Sequence, residues 1–261
     1  MNTVVVYPGR FHPWHKGHKS SYDYLVNKFG ANSVYVATSD VQAPITSPFT
    51  FQDKVEMMTK TGVPVSKIAR VKNPYQAQEI TQEIPDPEDT ALVFAVSEKD
   101  MLGKDARFRF GKKRDGSPSY MQPYPKSGKL KPLTQHAYVF ITPTVNFKVK
   151  GKDANSASAI RELYMQGNES DRKNIIHDLF GNDDGGLQQI FDQRLLPAKA
   201  AKEIVYKAAP IDSNVLDKVE PIRESKIDRL VKVILEAERK ASISDSSFTE
   251  DLVSDYLEEK R

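Results

Sequence analysis

The feature that most constrains the fold is a short run of mostly β-branched residues near the amino terminus, which is followed directly by a turn. Residues 3–7 read TVVVY, and Pro8 and Gly9 follow directly. Such a run is typical of a strand buried on both faces of a parallel sheet. Residues 22–29 then place four apolar side chains on one stripe of an amphipathic helix, and a second apolar run follows at 34–37. This order of strand, helix and strand predicts a right-handed βαβ unit.

The alternation of strands and helices continues along the chain. Further strands are predicted over residues 68–71, 91–96 and 137–141, and helices around residues 51–58 and from Ser156 onward. We therefore expect an α/β fold, with a parallel sheet of about five strands, helices on both faces and a helical carboxyl-terminal extension.

The pattern also suggests how the chain is divided. We expect a sheet domain over residues 1–167, which contains a long basic insertion at 98–136. A helical extension over 168–206, a linker over 207–222, and an amphipathic helix with an acidic tail over 223–261 are predicted to follow.

The basic insertion is the most unusual of these parts. Residues 98–153, which include it, hold 13 basic and 5 acidic side chains. Loops of this length inside compact domains are usually functional or disordered. A rim for a polyanionic substrate and a plain solvated surface explain the excess charge equally well.

The composition excludes several classes of protein. The 261-residue chain has no cysteine, which rules out disulfide frameworks, zinc ribbons, iron–sulfur clusters and thiol nucleophiles. A net charge of +3 does not indicate a nucleic-acid partner, and we expect none. No run approaches the roughly 20 apolar residues of a membrane span. We expect a soluble, cytoplasmic protein without a membrane partner.

The segment richest in chemistry is GRFHPWHKGH, residues 9–18. It lies where the first strand ends and the first helix begins, the position at which open α/β sheets bind ligands. A glycine-bearing turn lets backbone N–H groups approach phosphate oxygens, and the positive end of the helix favours that charge. His15 and His18 are predicted to face the same mouth, where imidazole N–H groups stabilise charge that grows on phosphate oxygens. Gly17 is expected to keep the helix start open.

The segment differs from the common phosphate-binding and metal-binding motifs. The Walker A motif needs Lys and Ser or Thr after its second glycine, and the dinucleotide fingerprint needs three glycines. A zinc site built from His12, His15 and His18 lacks a convergent face, so no metal-binding residues are predicted. Ordinary surface histidines rarely cluster directly after a buried strand. Trp14 either stacks on a base or packs in the core.

These residues resemble a known family. The pattern G-R-F-x-P-x-H-x-G-H at residues 9–18 is similar to the H-x-G-H signature of the nucleotidylyltransferase superfamily, in the form typical of archaeal-type nicotinamide mononucleotide adenylyltransferases. Residues 155–161, NSASAIR, resemble the I-S-S/G-T-x-I-R motif of that superfamily. Residues 47–58 resemble its N-P-F-T-x-x-E-R-x-x-M-I segment, with Lys54 at the arginine position.

The resemblance implies an enzyme with a Rossmann-like fold. This enzyme would transfer a nucleotidyl group from a nucleoside triphosphate, with ATP favoured, to a small phosphate monoester. Nicotinamide mononucleotide is the first candidate acceptor, and pyrophosphate is released. The implied cofactor is Mg²⁺, held mainly by the substrate phosphates. A cytidylyltransferase of the same superfamily is one alternative, and a non-catalytic binding or assembly protein is another. The helix at residues 223–240 is a candidate surface for a protein partner or for self-association.

The resemblance also implies site residues. His15, His18 and Arg161 form the implied catalytic set, in which the histidines stabilise the transferred α-phosphate. The residues implied to bind the nucleotide are Gly9, Arg10, Phe11, Gly17, Ser156, Ser158 and Lys54. The backbone of the turn residues would contact the nucleotide, and the serines and Arg161 would hold the β- and γ-phosphates. A lysine that is simply solvated is an equally open interpretation of Lys54.

Overall fold

The computed structural model describes residues 1–102, 106–153, 156–208, 228 and 231–236. These residues form two compact units that are interleaved along the chain. Unit 1 comprises Met1–Asp40, Phe51–Asn155 and Leu179–Gly181, and unit 2 comprises Val41–Thr50, Ser156–Asp178 and Asn182–Arg261. The contiguous domain boundaries inferred from the sequence stay predictions, and most of the expected linker and the acidic tail lie outside the described residues.

Unit 1 is built on a sheet of six strands, all paired in parallel. The strands are β1 (Asn2–Pro8), β2 (Val34–Thr38), β3 (Ile68–Arg70), β4 (Thr90–Ser97), β5 (Met121–Pro123) and β6 (Ala137–Thr142). Their order across the sheet is β3-β2-β1-β4-β6-β5. The parallel α/β sheet is therefore confirmed, with one strand more than the expected five.

The additional strand, β5, lies inside the basic insertion. Met121 of β5 pairs with Ala137 at the start of β6, which places β5 at the edge of the sheet. A proline is tolerated there because an edge strand has one side without ladder bonds. The three residues Met-Gln-Pro contain no β-branched side chain, so no sequence signal marks them as a strand.

Helices cover both faces of the sheet and form most of unit 2. The α-helices are α1 (Lys16–Phe29), α2 (Phe51–Lys60), α3 (Gln78–Thr81), α4 (Ala157–Gln166), α5 (Glu169–Phe180) and α6 (Gly185–Ala208). A two-stranded antiparallel hairpin, β7 (Lys148–Val149) and β8 (Lys152–Asp153), follows β6. None of the described helices is long and apolar enough to cross a membrane.

The core of unit 1 follows from the apolar runs of the two central strands. Val5 and Val6 of β1 and Val93 of β4 are fully buried, because both strands have neighbours on each side and helices above and below. The chain leaves β1 toward β2 and β3, and then returns to β4 on the other side of β1. This reversal opens a crevice at the carboxyl ends of β1 and β4, where sheets of this kind bind ligands.

Unit 2 has an aromatic core of its own. The ring of Phe191 on α6 lies 4.9 Å from that of Phe49 and 5.1 Å from that of Tyr164 on α4. The predicted amphipathic helix near the carboxyl terminus is helical at residues 228 and 231–236, and the rest of it lies outside the described residues. Val231 and Ile234, two members of its apolar stripe, are buried in the structure.

Candidate active site

The first of the paired histidines closes the amino-terminal end of α1. His15 is the N-cap residue, and its Nδ1 accepts hydrogen bonds from the backbone N–H groups of Gly17 at 3.1 Å and His18 at 3.4 Å. Histidine is an unusual cap, but its unprotonated ring nitrogen does what an Asp or Ser oxygen does at this position. A ring nitrogen that accepts carries no proton, so the proton of the neutral imidazole lies on Nε2.

The second histidine stacks on the first. The ring centroids of His15 and His18 are 3.7 Å apart with an interplanar angle of 24°. Burial lowers the pKa of His18 from 6.5 to about 3, and burial together with the neighbouring His18 lowers the pKa of His15 well below its usual value. Nδ1 of His18 is buried and has no hydrogen-bond partner within the described ranges. Two neutral imidazoles therefore lie side by side at the end of β1.

The turn before these histidines is tightly packed, and this packing decides the role of Trp14. A Cβ on Gly9 would lie 2.5 Å from the Phe11 ring, so only glycine fits there. Phe11 has a left-handed backbone (φ 49°), and its ring lies 5.0 Å from the ring of Trp14. Trp14 is fully buried and donates Nε1–H to the hydroxyl of Thr61 at 2.9 Å. Trp14 therefore packs in the core and offers no face to a base.

The structure gives a different reason for glycine at position 17 from the one that the sequence suggests. A Cβ at this position would lie 2.9 Å from the ring of Phe147 and 3.0 Å from the ring of His15. The glycine thus makes room for two rings, and Phe147 itself contacts His15 with centroids 4.6 Å apart. Sequence analysis missed Phe147, because a single aromatic residue beyond β6 carries no motif or periodic signal.

Lys54 is buried beneath the turn, not exposed to solvent. Its ammonium group donates to the backbone oxygen of Arg10 at 3.3 Å, to the hydroxyl of Thr38 at 3.3 Å and to the backbone oxygen of Ser39. These bonds use all three ammonium protons. The solvated lysine considered from the sequence is therefore wrong. Lys54 ties the turn after β1 to the end of β2.

The residues of the second motif lie in unit 2, at the start of α4. Ser156 is the N-cap, and its hydroxyl accepts from the backbone N–H of Ala159 at 3.2 Å. The hydroxyls of Ser156 and Ser158 are 3.3 Å apart. Arg161 is one turn further along the same helix and is 5% exposed. Asn155 lies outside the described residues.

The predicted site residues that contact one another thus fall into two groups. His15, His18 and Gly17 contact one another in unit 1, and Ser156 and Ser158 contact one another in unit 2. Within the described ranges, no three His, Asp or Glu side chains are arranged to hold a metal ion. Chemically, the first group offers imidazole N–H donors at a helix start, a combination suited to phosphate oxygens.

Comparison with known proteins gives a family match that spans this turn. Residues 6–113 match the family model described as cytidylyltransferase-like. The matched region includes the carboxyl end of β1, the turn, both histidines and all of β4, and it confirms the resemblance to the nucleotidyltransferase superfamily. The archaeal-type form of the motif stays a prediction. No curated protein matches the sequence significantly.

Solved structures also match. Two are crystal structures of a bifunctional NMN adenylyltransferase/ADP ribose pyrophosphatase from Francisella tularensis, one of them complexed with AMP and a manganese ion. They share 14% and 15% sequence identity with this chain, with TM-scores of 0.45 and 0.47. The alignments cover 85% of this chain but only 57% and 58% of those chains.

Proposed function

We propose that this chain, whose residues 6–113 match the cytidylyltransferase-like family model, is an adenylyltransferase. It transfers the adenylyl group of ATP to a small phosphate monoester, with nicotinamide mononucleotide as the first candidate acceptor. The observation that carries the proposal is the stacked pair of neutral imidazoles at the N-terminus of α1, one of them with a buried nitrogen that lacks a protein partner among the described residues.

The proposed reaction needs no covalent intermediate. A phosphate oxygen of the acceptor attacks the α-phosphorus of ATP, and the bond from that phosphorus to the bridging oxygen of the β-phosphate breaks, releasing pyrophosphate. Negative charge grows on the non-bridging α-phosphate oxygens during this step. Nε2–H of His15 and the ring of His18 stabilise that charge as preorganised donors, and the positive end of α1 adds to their effect.

The residues of unit 2 are proposed to act on the rest of the triphosphate. Arg161 supplies a guanidinium group suited to binding two phosphate oxygens at once, and Ser158 supplies a hydroxyl. Ser156 contributes mainly by capping α4, since its oxygen already accepts a backbone hydrogen bond. For Lys54 we propose support of the turn in place of direct nucleotide contact.

The cofactor of the proposed reaction is Mg²⁺. Since the described residues offer no cluster of three metal-binding side chains, the phosphates of the substrate are proposed as its principal ligands. The ion would neutralise phosphate charge, and this chain's own residues would orient the phosphates around the histidines.

The experiment is a substrate panel that measures pyrophosphate release. The full chain is offered ATP, Mg²⁺ and nicotinamide mononucleotide, with other phosphate monoesters as further acceptors. CTP is tested in parallel, because the matched family is cytidylyltransferase-like. Release that requires both ATP and an acceptor supports the proposal. Release with CTP alone would favour a cytidylyltransferase, and silence across the panel would favour a non-catalytic protein.

A further inference from the structure

Unit 1 carries an apolar groove at the β5 edge of its sheet, outside the histidine turn. The groove has a volume of about 360 Å³, at the small end of the usual range for ligand sites. Lys28 of α1, which lines it, lies ten residues beyond His18 on that helix, about 15 Å along the axis. The groove is therefore a separate site from the histidines. Its lining is mainly aromatic and aliphatic and includes Lys28, Phe110, Tyr124, Lys126, Phe140 and Ile141.

The groove lies where the covering of the sheet is incomplete. Parallel sheets normally have helices on both faces, supplied by the connections between their strands. The connection from β4 to β6 contains β5 and a short 3₁₀ turn, Glu98–Met101, but its described residues form no α-helix. Phe110 and Ile141 are consequently 44% and 43% exposed. Exposed apolar surface of this kind is typical of a binding site.

Aromatic rings and ammonium groups lie side by side on this surface. The ring centroid of Phe140 is 5.4 Å from that of Tyr124. Nζ of Lys28 lies 5.3 Å from the Phe140 centroid, and Lys126 is exposed and lines the same groove. No carboxylate of the described residues lines the groove, so nothing on its walls balances these two positive charges.

Further positive charge follows along the same edge of the sheet. Residues 106–136 hold eight basic side chains and one acidic side chain. Lys112, Lys113 and Arg114 are exposed on a small hairpin, which the Lys112–Pro118 bridge closes. The hydroxyl of Ser119 donates to the backbone oxygen of Met121 at 3.0 Å, so the base of this hairpin is tied to β5. Acidic residues elsewhere balance the excess, and the net charge of the whole chain does not reveal it.

We propose that this groove binds single-stranded nucleic acid. One base packs against the exposed ring of Phe110 and its apolar neighbours, the adjoining phosphates contact Lys28 and Lys126, and the strand continues toward the hairpin. Single-strand sites combine stacking rings with cations in this way. An acidic peptide would satisfy the charge, but ring and ammonium group alternate here over about 5 Å, which suits a polymer of flat bases and phosphates. The proposal replaces the expectation from net charge that the chain has no nucleic-acid partner.

The test measures fluorescence anisotropy of labelled oligothymidylate and oligouridylate of about 12 nucleotides, added to the full chain. We expect a Kd on the order of 10 µM near physiological salt. Phe110→Ala should weaken binding about tenfold, the effect of losing one stacked base, whereas Phe110→Trp, which keeps a ring, should stay within about twofold of the wild type. All of these side chains are exposed, so urea unfolding should show wild-type stability.

The lysines are tested through the salt dependence of binding. Lys28→Gln/Lys126→Gln should weaken binding about tenfold and reduce the slope of log K against log salt by about 1.4, since each cation on a single strand contributes about 0.7. Phe110→Ala should leave the slope unchanged. The matched control is Lys67→Gln/Lys72→Gln, which removes the same charge beside β3, at the opposite edge of the sheet, and should bind like the wild type.

Photocross-linking locates the strand on the protein. An oligouridylate that carries 5-iodouridine is irradiated with the full chain, and the attached peptides are identified by mass spectrometry. We expect cross-links at Phe110 or Tyr124, the aromatic residues of the groove that come from the basic insertion. Cross-links confined to other parts of the chain would overturn the proposal.

The binding assays do not depend on the proposed reaction, so the two proposals can fail separately. No anisotropy change with either oligonucleotide at protein concentrations up to about 100 µM would overturn this one. So would equal weakening in the groove variants and in the control, because any lysine would then serve. Displacement by polyglutamate at equal charge would indicate a site for acidic peptides, and displacement by AMP at the oligonucleotide concentration would indicate a mononucleotide site; each result would overturn the assignment to single strands.

Discussion

The two roles of His15 can be separated by one pair of substitutions. In the wild type, Nδ1 of His15 accepts from two backbone N–H groups. His15→Ala removes both this cap acceptor and the Nε2–H donor. His15→Asn removes the donor but restores a side-chain oxygen that can cap the helix, since Asn is among the best N-cap residues. The two variants should therefore have the same loss of turnover and different stabilities.

The expected sizes follow from the geometry. Loss of an N-cap costs about 1 kcal/mol, and His15→Ala also loses the ring contacts to His18 and Phe147, so we expect a loss of about 2 kcal/mol in the free energy of unfolding. His15→Asn should recover about half of that loss. Both variants should lower kcat about 10²-fold or more, the cost of one preorganised donor to a developing charge.

Urea unfolding measures the stabilities, and pyrophosphate release at saturating ATP and acceptor measures kcat. The control is Lys16→Gln, an exchange at the neighbouring position that leaves both imidazoles in place. Wild-type turnover in His15→Asn would refute the assignment of the Nε2–H donor. Equal stabilities of the Asn and Ala variants would refute the cap.

Three further predictions concern the same turn. Because burial lowers the pKa of His18 from 6.5 to about 3, the folded state binds fewer protons than the unfolded state between these values. Stability should therefore fall as the pH drops through this range, and urea unfolding at several pH values should show a weaker dependence in His18→Gln. Gly17→Ala should lower kcat about tenfold or more, because the added Cβ displaces the rings of His15 and Phe147. The double variant Gly17→Ala/Phe147→Leu should recover part of the lost kcat, and equal kcat in the two variants would contradict this reasoning. Burial lowers the pKa of Lys54 from 10.5 to about 8, so the free energy of unfolding of the wild type should rise with pH between these values, and that of Lys54→Met should not. At neutral pH we expect Lys54→Met to lose about 2 kcal/mol or more in the free energy of unfolding. Parallel pH curves for the two proteins would contradict the pH prediction.

The strands at the centre of the sheet could be predicted because their sequences carry strong signals. β1 and β4 are continuous apolar runs, and the histidine motif lies directly after β1. β5 could not be predicted, since three residues without a β-branched side chain become a strand only by pairing with β6. The strands of the β7–β8 hairpin have only two residues each, too few for a periodic pattern, and the left-handed backbone of its turn at Lys150 and Gly151 is seen only in the structure.

The candidate site also has residues that the sequence predicts and residues that it does not. His15 and His18 were found from spacing and context, and the family match covers them. What spacing could not reveal is the cap acceptor on His15, because it depends on the rotation of one ring. Phe147 was missed for another reason. Its partners His15 and Gly17 lie far earlier in the sequence, and pattern analysis works on neighbours.

The interleaving of unit 2 has a consequence for biosynthesis. The loop 41–50 leaves the ribosome long before α6 and Asp228 are made, although Phe49 packs on Phe191 of α6 and the backbone N–H of Ile45 donates to the carboxylate of Asp228. Contacts of such high sequence separation form late, since a long stretch of chain must first be closed into a loop. The sheet can thus assemble while translation continues, whereas the contacts of this loop are completed only after the carboxyl-terminal segment has emerged. A pause or cleavage late in the coding region would leave a nascent chain with a formed histidine turn and an unfinished second unit.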